Sequence, residues 1–170
     1  HVQILNCDIS KTPSSGIGVM EADWITIKNN YVHDCGKWNT FATSGINFYH
    51  PRHVDSDTTS YKIVVTGNKV FNYVNTIKWY ATQEMSDGNG IILDDFNDSQ
   101  SSNPVPYNGK TLVSNNLCVS NGAAGINAGR SKNFLIINNT CYNNNATPEL
   151  NWGEAMAVLC SDGMFVNNNL

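Results

Sequence analysis

An all-β solenoid, a chain wound into stacked coils of short strands, is the fold class this sequence predicts. Three observations predict it: a short β-branched run followed by Asn-Asn or Gly-Asn, a glycine phrase that alternates strictly with it, and 26 asparagines among 170 residues. Asparagine tolerates a left-handed backbone and satisfies neighbouring peptide groups with its own amide, so a chain that turns sharply many times collects it. Here the asparagines alternate with Ile, Val and Leu, which excludes a polar disordered region.

Taken in chain order, the first phrase is degenerate at Gln3 to Ile9 and clear at Ile25 to Val32, Ile63 to Val70, Thr111 to Cys118 and Phe134 to Cys141, with a truncated copy at Met164 to Asn169. The glycine phrase follows each of the first five copies, at Ser15 to Val19, Ser44 to Phe48, Asn89 to Leu93, Ala124 to Ala128 and Glu154 to Val158. With the second asparagine as marker, and Cys7 in its place in the degenerate copy, the steps are 23, 38, 48, 23 and 29 residues. The shortest step is one turn of the coil, and the longer ones carry insertions. Each phrase alternates with period two over three to five residues, which suits one face of a stacked coil and cannot be held by a helix.

That pattern assigns the interior. Ile25, Ile27, Val32, Ile46 and Phe48 face inward in one coil, above Ile63, Val65, Val70, Ile91 and Leu93 in the next. Asn30, Asn68, Asn116, Asn139 and Asn168 fall at one turn, where amides about one strand spacing apart hydrogen-bond up the column. Cys118 and Cys141 occupy one inward position a coil apart; stacked thiols are favoured there over a metal pair, and the spacing also permits a disulfide. Cys7, Cys35 and Cys160 show no CxxC spacing, which disfavours zinc, and an odd total of five argues against a complete disulfide framework. The sequons at Asn97, Asn138 and Asn145 are expected by chance in so asparagine-rich a chain.

With 41% hydrophobic and 14% charged residues and a net charge of −4, the chain reads as one domain, residues 1–170, able to bury a sizeable core. No apolar run is long enough to span a membrane. Two arginines and scattered lysines provide no basic stripe to follow a phosphate backbone, so nucleic acid is not the expected partner, and a monomer is expected. The chain opens and closes on strand phrases without an amphipathic cap, so the expectation is a segment of a longer coil or a processed product, with a removed leader before it.

The repeat length, three short strands per repeat and an asparagine at one fixed turn resemble the right-handed parallel β-helix proteins, best known from pectate lyases and other secreted polysaccharide-degrading enzymes. The resemblance covers the whole chain and implies five to six coils of three strands with loop insertions. It also implies a secreted, periplasmic or cell-surface protein acting on carbohydrate. Asp87-Gly88-Asn89-Gly90-Ile91-Ile92-Leu93-Asp94-Asp95-Phe96 looks like a phrase recurring in bacterial β-helix proteins of the polysaccharide lyase type. β-Helices also serve as tailspikes, adhesins and spacers, so the fold does not decide the function.

Function is sought where the repeat is interrupted, because long loops on a rigid scaffold carry binding groups. Gly36 to Thr43 and Tyr73 to Gly88 precede the glycine phrase, and Pro51 to Ser60 and Phe96 to Gly109 follow it, so all four flank one strand column and are expected to wall a groove. Five residues on from each glycine stand Glu21, His50, Asp95 and Arg130, with Cys160 aligned in the last coil. Coils about 4.8 Å apart would make His50, Asp95 and Arg130 a vertical row of ionisable groups, with Tyr49 and Asp94 one position earlier. A ladder of exposed turn residues, making a salt bridge worth at most about 1 kcal/mol, is the plain alternative.

An acidic-polysaccharide lyase comes first among the functional readings. Arg130, or a calcium ion held by Asp94 and Asp95, would neutralise a uronate carboxylate; Lys78, His50 or His53 would take the C5 proton; elimination of the 4-linked sugar would follow. Trp79, Tyr80, Tyr49 and Trp38 offer flat faces for pyranose rings, and Arg52, His53, Asp87 and Lys132 complete the candidate substrate contacts. An inverting hydrolase comes second: Asp94-Asp95 resemble the Asp-Asp of β-helical polygalacturonases, and Arg130-Ser131-Lys132 their Arg-x-Lys clamp. The chain lacks that family's Asn-Thr-Asp and Gly-His-Gly, and adjacent strand residues point to opposite faces, so Asp87 is the candidate third carboxylate. A noncatalytic carbohydrate-binding or adhesive coil is the third reading.

Overall fold

In the computed structural model, which describes residues 1–170, sixteen strands wind through five complete coils and the start of a sixth. The first coil holds β1 (Val2–Leu5), β2 (Asp8–Ser10) and β3 (Ile17–Met20), and the second β4 (Ile25–Lys28), β5 (Tyr31–His33) and β6 (Ile46–Tyr49). The third holds β7 (Tyr61–Thr66), β8 (Lys69–Phe71) and β9 (Ile91–Asp94), and the fourth β10 (Lys110–Ser114), β11 (Leu117–Val119) and β12 (Ile126–Gly129). The fifth holds β13 (Phe134–Ile137), β14 (Thr140–Tyr142) and β15 (Ala155–Val158), and β16 (Met164–Val166) opens the sixth. Corresponding strands pair in parallel, giving three sheets ordered β1-β4-β7-β10-β13-β16, β2-β5-β8-β11-β14 and β3-β6-β9-β12-β15. The result is a right-handed parallel β-helix. No helix is long and apolar enough to cross a membrane.

The Asn-Asn pair, Gly67-Asn68 in the third coil, does two jobs at the turn between the first and second strand. Its first residue turns the chain: Asn29, Asn115 and Asn138 have φ of 57, 56 and 56°. Its second residue points inward and builds the ladder. Asn30 Nδ2 donates to Asn68 Oδ1 at 3.0 Å, Asn68 to Asn116 at 2.9 Å, Asn116 to Asn139 at 2.9 Å and Asn139 to Asn168 at 3.0 Å. Each of these acceptor oxygens also takes the backbone N–H of the asparagine one coil before it. A shorter column that the sequence reading missed stands at the next corner: Asn121 donates to Asn144 at 2.9 Å, and Asn144 to Glu154.

The glycine phrase has an equally local cause. A Cβ on Gly45 would lie 2.8 Å from the Gly90 carbonyl oxygen, and one on Gly90 would lie 2.6 Å from the Gly125 carbonyl oxygen. Backbone cannot give way as a flexible side chain can. Gly90→Ala is therefore expected to destabilise the coil by about 1–3 kcal/mol, read as a lowered urea midpoint with an unchanged m value. Wild-type stability in that variant would refute the close-approach argument.

Inside, Ile17, Ile46, Ile91 and Ile126 stand in one vertical file, and all ten residues assigned to the interior are buried. Cys118 and Cys141 are register partners with free, buried thiols; the hydrogen bond between them and burial push the Cys118 thiol up. The last coil corrects the sequence alignment. Ala155 pairs with Ile126, so Glu154 takes the glycine position and Leu159, rather than Cys160, takes the place above Arg130. That coil has no glycine to anchor the phrase, and the bond from Asn144 to Glu154 sets its register instead.

Candidate functional site

The outer face of the β3-β6-β9-β12-β15 sheet carries a groove of about 640 Å3, within the size range of small-molecule and cofactor sites. Side chains alternate along each strand, so the outward files are Asn47, Ile92, Asn127 and Met156, and beside them Met20, Tyr49, Asp94 and Val158. Phe41, Trp79, Tyr80, Asp87 and Trp152 stand on the side where the chain enters these strands, and Gln100 and Arg130 on the side where it leaves. Three of the four insertions thus border the groove.

Pro51 to Ser60 does not border it. That insertion is anchored elsewhere by a buried ion pair: Lys62 Nζ lies 2.7 Å from both Asp23 and Asp55, and the Tyr107 hydroxyl donates to Asp23 at 2.6 Å. Trp24 Nε1 donates to the same Asp55. Leaving Lys62 or Asp23 unpaired in the interior would be costly, so these bonds dictate where the loop lies.

The ionisable row is divided. His50 Nε2 sits 2.6 Å from Asp95 Oδ2, but Asp95 is fully buried and turned into the Phe96 to Gly109 loop, where it accepts bonds from Ser99 and Gln100. Burial pushes Asp95 up, yet the bonds from Ser99, His50 and Gln100 outweigh it and hold the carboxyl below the ordinary range. Arg130 is exposed at the groove edge and forms no ion pair, with Asp95 or any other acid. Asp94 borders the groove while Asp95 is turned away from it, so the adjacent carboxylates do not converge on one point.

Asp94 has a different partner. Burial, reinforced by repulsion from Asp87 and Asp95, raises its carboxyl to about 7, and burial raises Asp87 to about 6. Arg130 pulls both down, which marks all three as electrostatically coupled. Tyr49 is pushed up by burial and by Asp94, and its ring stacks on His50 at 3.8 Å. Asn127 is 6% exposed on the groove floor, and its buried amide oxygen has no hydrogen-bond partner.

The other candidates lie off the groove. Lys78 is exposed and outside it; Lys132 forms a lone bridge with Ser161; Trp38 is exposed without bordering it. Arg52 reaches Asp98 at 3.3 Å and Glu21 at 3.6 Å, and His53 stacks on Tyr107 and accepts from Asn108 N–H. Phe41, Gln100, Asn127 and Trp152 were missed. Asn127 was legible, because Gly45-Ile46-Asn47 and Gly125-Ile126-Asn127 repeat one phrase; Trp152 and Gln100 depend on loop paths that carry no period.

Fold and groove define a parallel β-helix protein with an acidic, aromatic-lined cleft on one sheet face. In comparisons with known proteins, no family model matches the chain, and no curated protein or solved structure is significantly similar to it.

Proposed function

We propose that this is a carbohydrate-active protein whose groove binds an acidic polysaccharide and hydrolyses it. The supporting observation is the pair of carboxylates held near 7 and 6 beside an unpaired arginine, in a cleft with Tyr49, Trp79, Tyr80 and Trp152 on its walls and floor. Near neutral pH the coupled pair holds about one proton, which the higher value of Asp94 assigns to that carboxyl, the division of labour a glycosidase needs. Asp94 protonates the glycosidic oxygen as the C–O bond breaks; Asp87 removes a proton from the water that attacks the anomeric carbon. Arg130 pairs with a uronate carboxylate, and the aromatic rings stack against pyranose faces. A secreted or cell-surface location belongs to the same proposal, since such substrates lie outside cells.

This reverses the order expected from the sequence. Of the bases expected for elimination, Lys78 and His53 lie outside the groove and His50 Nε2 is engaged by Asp95. The free guanidinium of Arg130 is the observation that favours elimination, with calcium as its expected helper. Incubation with pectate, alginate and chondroitin, with and without calcium, separates the readings. Reducing ends without the ultraviolet absorbance of an unsaturated uronate are expected. Absorbance would replace hydrolysis by elimination; binding without cleavage would leave a lectin-like coil; neither binding nor cleavage would overturn the proposal. Arg130→Ala should raise KM for the acidic chain more than it lowers kcat.

A further inference from the structure

We infer that His50, Asp95 and Asp98 form a binding site for a divalent transition-metal ion of the zinc type, independently of the sugar-cleaving reading. Three ligand atoms, His50 Nε2 and one oxygen from each carboxylate, lie within 4.8 Å of one another. The observation that points to a ligand is Asp98: the residue is 3% exposed, its Oδ1 has no hydrogen-bond partner, and that atom faces His50 Nε2 at 3.5 Å. A buried carboxylate oxygen without a hydrogen bond is costly unless something cationic meets it.

The surrounding bonds hold the donors as a metal site requires. Asp98 Oδ2 is fixed by Val105 N–H at 2.8 Å and by Arg52 at 3.3 Å, which leaves Oδ1 turned inward. Asp95 Oδ1 is fixed by the Ser99 N–H and hydroxyl at 2.8 and 2.6 Å, and Gln100 N–H reaches Oδ2 at 3.0 Å. Outer bonds of this kind orient ligands. His50 comes from the coil below, placed by its left-handed backbone and by its N–H bond to the Asp94 carbonyl. The turn that bonds Asp98 N–H to the Asp95 carbonyl brings the two carboxylates to the same side of the loop.

One imidazole and two carboxylates suit zinc and its neighbours better than calcium, which takes six or more oxygens. Metal–ligand bonds of about 2.0–2.2 Å set ligand atoms about 3.3 Å apart in a tetrahedral site. The His50–Asp98 separation of 3.5 Å already fits, and the His50–Asp95 separation of 2.6 Å must open by about 0.7 Å. An ion there would pin the Phe96 to Gly109 loop to the coil beneath, and with it Gln100 on the groove wall.

The test uses the whole chain with Cys7 and Cys160, the two thiols that are not buried, replaced by Ser, stripped with chelator and titrated with zinc chloride. One ion per chain is expected, with a rise in Tm of about 5–10 °C at a zinc concentration a hundred times Kd. X-ray absorption should show nitrogen and oxygen ligands and no sulfur. Asp98→Asn, which keeps an acceptor for Val105 N–H, and His50→Gln should each abolish the shift, whereas Asp94→Asn should retain it. Absence of stoichiometric uptake by this folded parent chain, or equal affinity in Asp98→Asn and His50→Gln, would overturn the site.

Discussion

Asp94→Asn should lower the rate of glycosidic cleavage by about 10²- to 10⁴-fold, the range of a lost general acid, while the coil stays folded. Asparagine preserves shape and removes the proton that the leaving oxygen needs. The pH profile carries the finer test. Activity requires Asp94 protonated and Asp87 ionised, so with carboxyls at about 7 and about 6 the wild-type rate should fall on both sides of a narrow optimum. Repulsion between the carboxylates makes the two limbs a property of the pair. A variant as active as wild type would remove Asp94 from the chemistry.

The same substitution has a stability signature of known sign. The folded pKa of Asp94 lies above the unfolded value of about 3.9, so its contribution is fully present below about pH 4 and is lost as pH rises through about 7. At pH 8 the Asn variant should therefore melt above wild type, and the gap should close toward pH 4. Lower activity with higher stability separates a catalytic carboxylate from a structural one.

Asn116→Ala should cost about 2–5 kcal/mol of unfolding free energy, the largest single-residue loss of stability expected in the ladder's middle. The Asn116 amide donates to Asn139 Oδ1 and to the Val65 carbonyl at 3.0 Å, while its oxygen accepts the N–H and the side-chain amide of Asn68, each at 2.9 Å. Removing it strands the buried Asn68 N–H in a cavity that alanine does not fill. Asn103→Ala, at an exposed loop position, should stay within about 0.5 kcal/mol of wild type in the same denaturant titration. Equal losses at both positions would show that the column adds nothing beyond asparagine's local turn preference.

The coil was legible because its causes are local and repeated. Every ladder step counted along the chain, at 23, 38, 48, 23 and 29 residues, is a hydrogen bond between asparagines or to their place in the degenerate copy. One register error arose where repetition failed: Glu154 replaced the guiding glycine, and a side-chain bond from Asn144 decided the pairing. The site was half legible. Tyr49, Asp94 and Arg130 follow from counting along strands; their separation from His50 and Asp95 does not, because Asp95 turns into a loop whose Ser99 and Gln100 donors lie outside the repeat.

What this sequence determined by itself is the stack, since a strand two residues in period and a turn residue with its own amide need only their neighbours along the chain and their copies one coil away. Only the tertiary structure decided which loops wall the groove and which carboxylates share it. Those outcomes depend on bonds such as Lys62 to Asp23 and Asp55, formed between residues 39 and 7 positions apart with no period to announce them. They depend equally on how far Asp87 and Asp94, both half-buried, are withdrawn from water, a property of the assembled surface.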